Sequence, residues 1–305
     1  MSKEQKLLNF NMELINFFGK IKMLHNFLFE HSSFSLLSRN QELIGYKKHD
    51  KCYVCALGPS LRNVDLSKIN ADSIVVNRFY KIGKKFPDFI PTYYLMLDHL
   101  FDKPENQQDF EEALVSYLDK GTVFILNSKL AKMPIMEKYK DYKNIYFISS
   151  FNGTLQAEKK YSIDGVMPCF QNVVGASIFI LMLIGYKKVS LLGCDFNSFA
   201  SCVKNHCYSE KNNARTMSLS FELFCYSIAA QNHDDLQAYA IHNGVQIFNS
   251  TKGSLIDSYP FKFEDSLYFN KESPFLPPIQ IELKPSVFAR FAYVHLIYGQ
   301  KTCLY

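Results

Sequence analysis

Two short stretches carry side chains able to move a proton. Lys204-Asn205-His206-Cys207-Tyr208-Ser209-Glu210 sets a histidine two residues ahead of a tyrosine. In extended backbone those two rings share a face. An imidazole with an unperturbed pKa near ~6.5 suits a general base that needs no metal, and a neighbouring phenol can donate to a phosphate. His233, ahead of the acidic pair Asp234-Asp235, is a second candidate base, and His99 is a third. Each of the eight histidines is weighed against ordinary surface or packing use, and geometry must choose among them. A further set of short polar residues follows apolar runs: Gly58-Pro59-Ser60, Asn77, Asp98, Asn127, Gly193 with Asp195, and Asn249 to Thr251. Amides, hydroxyls and glycine-turn N–H groups can carry the charge of a departing phosphate as preorganised dipoles. No Asp-x-Asp closes a strand-like run, so a divalent-metal clamp is not indicated. Cys52 and Cys55 form a C-x-x-C without a matching second pair. Three apart on a strand, they point to opposite faces, which favours core packing over zinc.

The elements that must hold these groups can be read from apolar runs and turn residues. Residues 52–57 form a first strand that runs into the Gly58-Pro59-Ser60 turn, and Asn63 to Ile69 continues with helical apolar spacing. Gly58 lets backbone approach a ligand without a Cβ, and Ser60 can cap a helix or donate its hydroxyl. Further strands are expected at 73–77, 92–98, 122–127, 145–149, 189–193 and 245–249, and helices at 107–120, 174–184 and 221–243. Strands alternating with helices, without hairpin-like pairs, indicate an α/β fold with a doubly wound, mostly parallel sheet. In such a sheet ligands bind in the crevice outside the carboxyl ends of the strands, and the polar set above stands on that one rim. Segment 197–217 is polar and irregular, as an active-site flap would be.

Length and composition bound the rest. A chain of 305 residues holds one large domain with appendages. Residues 1–47 read as an amphipathic helical segment, 48–260 as the ligand-binding domain and 261–305 as an aromatic appendage. The net charge of +5 comes without a long Lys/Arg block, which argues against a nucleic-acid surface and suits a small anionic partner. Eight cysteines without a signal peptide fit reduced thiols in the cytoplasm. The longest apolar run, 176–185, is too short to span a bilayer. The apolar, partly basic ends, 1–44 and 286–305, are read as surfaces for homo-oligomerisation or for peripheral contact with the inner face of a membrane.

Taken in order, three motifs carry a resemblance. Ala56-x-Gly58-Pro59-Ser60-Leu61, Val76-Asn77-x-Phe79-Tyr80 and Gly185-Tyr186-Lys187-Lys188-Val189-x-Leu191-x-Gly193-x-Asp195-Phe196 are similar to the bacterial sialyltransferases of glycosyltransferase family 42. The ending Gly244-Val245-Gln246-Ile247-Phe248-Asn249-Ser250-Thr251-x-Gly253 also resembles the domain shared by motility accessory factors and pterin diphosphokinases. The resemblance covers residues 50–260. It implies a Rossmann-like, GT-A-like domain and an inverting, metal-independent transfer from a CMP-activated sugar to a glycan or glycolipid hydroxyl, with no other cofactor. By position it places Gly58, Pro59, Ser60, Asn77, Asp98, Gly175, Gly193 and Asp195 around the nucleotide. His206, Tyr208 and His233 remain as catalytic candidates. Leu57 stands where the family has Asn, and Asn197 where it has Tyr, both close to the donor sugar or phosphate in that family, so a related cytidylyl-activated acid such as Kdo, or a different nucleotide sugar, fits as well as sialic acid. The alternative is phosphoryl transfer of the pterin diphosphokinase type, which would need ATP and Mg²⁺. A third reading keeps the fold as a silent interaction module.

Overall fold

A computed structural model describes residues 36–98, 101, 103–151, 154–201, 206–209 and 217–269. All of these fall in one unit, 1–272, while a second unit, 273–305, and the expected helices of residues 1–35 lie outside the described residues. Seven strands form one sheet: β1 (Lys51–Cys55), β2 (Asp72–Val76), β3 (Tyr93–Met96), β4 (Val123–Asn127), β5 (Ile145–Ile148), β8 (Lys188–Leu192) and β9 (Gln246–Asn249). Their spatial order is β5-β4-β3-β2-β1-β8-β9, and every pairing is parallel. A separate two-residue pair, β6 (Ser150–Phe151) with β7 (Met167–Pro168), ties down a stretch that reads as irregular from sequence.

Parallel sheets survive only when both faces are covered, and the side chains here divide accordingly. Cys52, Val54, Tyr93, Leu95, Val123 and Ile125 enter one core, while Tyr53, Cys55, Tyr94, Met96, Phe124 and Leu126 enter the other. This alternation is the two-residue period of a strand. It also settles the C-x-x-C: Cys52 and Cys55 are both buried, on opposite faces of β1. On the first face lie α3 (Val173–Ile184) and part of α4 (Leu219–His242); on the second lies α2 (Gln107–Tyr117), with the one-turn α1 (Tyr80–Gly83) beside it. α3 is apolar on nearly every side because it is enclosed, with nine of its residues buried. Leu43 joins the first core from the Ser38–Tyr46 segment, and the buried Asn40 Nδ2 donates to Phe147 O and Ile163 O.

Two local expectations fail. No α-helix follows Gly58-Pro59-Ser60; the chain makes two short 3-10 turns, Pro59–Asn63 and Leu66–Lys68. Asp65, whose carboxylate accepts from Ser67 N, closes the first turn off from the second. Helix α4 begins two residues earlier than its sequence signal, with Ser218 capping Phe221 N. Among the described residues no helix is long and apolar enough to cross a membrane.

Candidate active site

The topology fixes where a ligand can sit. From β1 the chain winds through β2 to β5 on one side, then returns to place β8 and β9 on the other. The switch point is therefore between β1 and β8, and in open α/β sheets the ligand crevice lies there, outside the carboxyl ends. Cys55 is in register with both Val75 and Leu192, so Gly58, Asn77 and the Gly193–Asp195 corner come out on the same rim.

At the switch point the two strand ends are clasped together. Gly58 N donates to Gly193 O at 2.9 Å. The Asp195 carboxylate accepts from Ser60 Oγ at 2.7 Å and from Ser60 N at 3.2 and 3.3 Å. Only 7% of Asp195 is exposed, and burial raises its pKa above the ordinary carboxylate value against the opposing pull of the Ser60 bonds. The need for glycine at position 58 is internal: a Cβ there would stand 2.0 Å from Asp195 Oδ2 and 2.6 Å from Gly193 O. The space that sequence alone reserves for a ligand is filled by the chain itself. Gly193 is equally constrained, with φ +68° and Ala56 O at 2.6 Å from where its Cβ would be. Ser60 caps no helix; its hydroxyl serves Asp195.

Asn77 behaves differently. It holds a left-handed backbone, φ +46°, fixed by its N–H to Leu95 O at 3.0 Å and by Tyr94 Oη donating to its carbonyl at 2.6 Å. Its side-chain Oδ1 is buried and has no hydrogen-bond partner among the described residues. Leaving such an acceptor unpaired costs about 1–3 kcal/mol, which an N–H or O–H from a ligand would recover. Asp98 stands two residues beyond β3 on the same rim. Other rim residues have a plainer use. Asn127 caps the turn after β4 through Lys129 N, and Asn249, Ser250 and Thr251 are fully buried and bonded within the protein. Thr251 Oγ1 accepts from Cys194 N, and Ser254 Oγ donates to Cys194 O, so this group braces β8 from behind.

His206 and Tyr208 do share a face, their rings stacked at 5.1 Å with 10° between planes. Their segment is docked on the β1 exit: Cys207 N donates to Leu57 O at 2.9 Å, and the Cys207 side chain is buried in the second core. Lys81 Nζ lies 5.4 Å from the centre of the Tyr208 ring. Sequence reasoning missed Arg62, whose guanidinium donates from Nε to Cys207 O at 3.1 Å and from Nη2 to His206 O.

His233 is completely buried in α4 and used within the protein. Asn172 caps α3 by accepting from Gly175 N at 2.8 Å, which turns its Nδ2 toward His233 Nε2 at 3.3 Å. His233 Nε2 is thus the acceptor, and Nδ1–H donates to Tyr259 Oη at 2.9 Å. Burial pulls its pKa down to about 4, which keeps the ring neutral. Gly175 is buried under Phe170 and Leu236, with its N–H taken by Asn172. Phe196, directly after Asp195, holds φ +59°, rare for an aromatic residue, and packs on Tyr226 and His233. Among the described residues no group of three or more His, Cys, Asp or Glu side chains is placed to hold a metal ion.

Sheet, switch-point clasp and rim define an α/β protein of the Rossmann-like kind, with its topological switch point between β1 and β8. No protein-family profile matches the chain, and no curated protein matches it. Among solved structures it is similar to the sialyltransferase CstII from Campylobacter jejuni in complex with CMP-3FNeuAc, at 12% identity and a TM-score of 0.42, over 80% of this chain and 98% of that one. It is also similar to the monofunctional α-2,3-sialyltransferase Cst-I from Campylobacter jejuni, at 14% identity and a TM-score of 0.44, over 84% of this chain and 96% of that one. The fold assignment rests on the sheet itself.

Proposed function

We propose that this chain is an inverting, metal-independent glycosyltransferase that moves sialic acid or a related acidic sugar from a CMP-activated donor to a hydroxyl of a glycan or glycolipid. The observation that carries the reading is the buried Asn77 Oδ1, without a hydrogen-bond partner among the described residues, on the rim beside the Gly58–Asp195 clasp. It is supported by the order of the Gly-Pro-Ser, Asn and Gly-x-Asp-Phe motifs along the chain. Asn77 contacts the nucleotide; the Gly58-Pro59-Ser60 turn, braced internally by Asp195 and Gly193, shapes the wall it lies against, while Asp98 and the α3 start at Gly175 border it. His206 takes the proton of the acceptor hydroxyl as its oxygen attacks the anomeric carbon. The bond from that carbon to the phosphate oxygen breaks, CMP leaves with the electron pair, and Tyr208 donates its O–H to the phosphate. His233 serves the core, since both its nitrogens are engaged and its ring is buried.

The test is His206→Ala, assayed by CMP release from a CMP-activated sialic acid. Removing a general base should lower turnover by roughly 10²–10⁴ and leave CMP affinity within a factor of about three. Full turnover in His206→Ala, with loss in His233→Ala, would move the base to α4.

A further inference from the structure

The turn that grips Asp195 also grips the His206–Tyr208 segment, at a point 144 residues further on in the chain. Ser60 faces the β8 exit, and Arg62, two residues later in the same Pro59–Asn63 turn, faces the other way. Its guanidinium bonds two successive carbonyls, those of His206 and Cys207. Such a planar fork fixes position and orientation together, which a point charge on a flexible stem does not. The same segment has two further anchors, Cys207 N on Leu57 O and the Cys207 side chain, 1% exposed, in the core. Between anchors, the backbone of residues 206–208 has its place set, and the stacked rings of His206 and Tyr208 project from it.

We infer that Arg62 is a positioning residue: it holds the His206–Tyr208 pair in register with the Gly58–Asp195 clasp and touches no reacting atom itself. This rests on the reading of His206 as the base, but the anchor can be measured apart from the chemistry. Cys207 supplies the gauge. Burial pushes its thiol up to about 12, so in the docked segment it stays protonated and slow to alkylate.

The experiment compares wild type with Arg62→Lys and Arg62→Gln, each confirmed as folded by circular dichroism and by its thermal shift with CMP. Iodoacetamide labelling, resolved by peptide mass spectrometry, follows Cys207 separately from the exposed Cys169. Cys207 should alkylate at least about tenfold faster in both variants, because the opened segment exposes a thiol whose pKa returns toward ~8.5. Turnover of a CMP-activated sialic acid should fall about ten- to a hundredfold with KM for the donor within threefold, and Lys should not rescue it although it keeps the charge. An unchanged Cys207 rate overturns the anchor. A faster Cys207 rate with unchanged turnover overturns its catalytic relevance. If His206→Ala retains turnover while Arg62→Lys shows both effects, the anchor stands and the assignment of the base falls.

Discussion

Ser60 and Asp195 form the contact on which the rim depends, and its cost is readable from chemistry. A carboxylate that is 7% exposed needs donors, and Ser60 supplies two of them through Oγ and N. Ser60→Ala deletes the hydroxyl donor and should lower stability by about 1.5–3 kcal/mol in urea unfolding, with the slope unchanged. An effect below about 0.5 kcal/mol would mean the clasp is not formed in solution. Sequence identifies Gly58, Ser60 and Asp195 by type, because Gly-Pro-Ser and Gly-x-Asp stand at the ends of apolar runs. It cannot say that they bind each other, since they lie 135 residues apart with no local signal linking them. The same separation hides Arg62, which looks from sequence like one more exposed cation in a turn.

Helices α3 and α4 are joined by the chain Gly175 N, Asn172, His233 and Tyr259. Here a titration should be visible. The folded-state pKa of His233 is near 4 and its ordinary value is 6.5, so the unfolded chain binds the extra proton first. Stability is therefore full above pH 6.5 and falls as pH drops toward 4, by up to about 3 kcal/mol at 1.36 kcal/mol per unit. His233→Gln, less stable at pH 7, should show a flatter profile between pH 6.5 and 4, measured by denaturant titration at each pH. Parallel profiles for the two proteins would place a charged or exposed ring at 233. That histidine is legible in the sequence only as one of several candidates, because burial depends on how α3 meets α4. The long apolar pattern of α4 is misleading for the same reason. Its buried residues, Ala229, His233, Leu236, Tyr239 and Ala240, all lie from Ala229 onward, while Leu219, Phe221, Leu223 and Phe224 are exposed.

On the scale of the molecule the doubly wound parallel sheet follows from what the sequence shows directly: short apolar runs, most of them ended by Gly, Asn or Asp, alternating with helical segments. Period-two burial across both faces then requires helices on each side. Strand order is another matter. Hydrophobic pattern does not encode which strand neighbours which, so the return of β8 to the side of β1, which sets the switch point, is seen only in the structure. The turn after β1 misleads for a physical reason as well: its apolar residues Leu61, Val64 and Leu66 satisfy a core from two 3-10 turns as well as from a helix.

The central claim is a crevice at the β1–β8 switch point that takes CMP without a metal, and ligand-linked stability tests it most directly. In EDTA, with CMP at a hundred times its dissociation constant, the protein should gain about 2.7 kcal/mol against unfolding, and UMP or ATP should give less. Asn77→Ala should abolish most of that gain. No stabilisation by CMP, together with stabilisation by ATP that appears only when Mg²⁺ is added, would contradict the account.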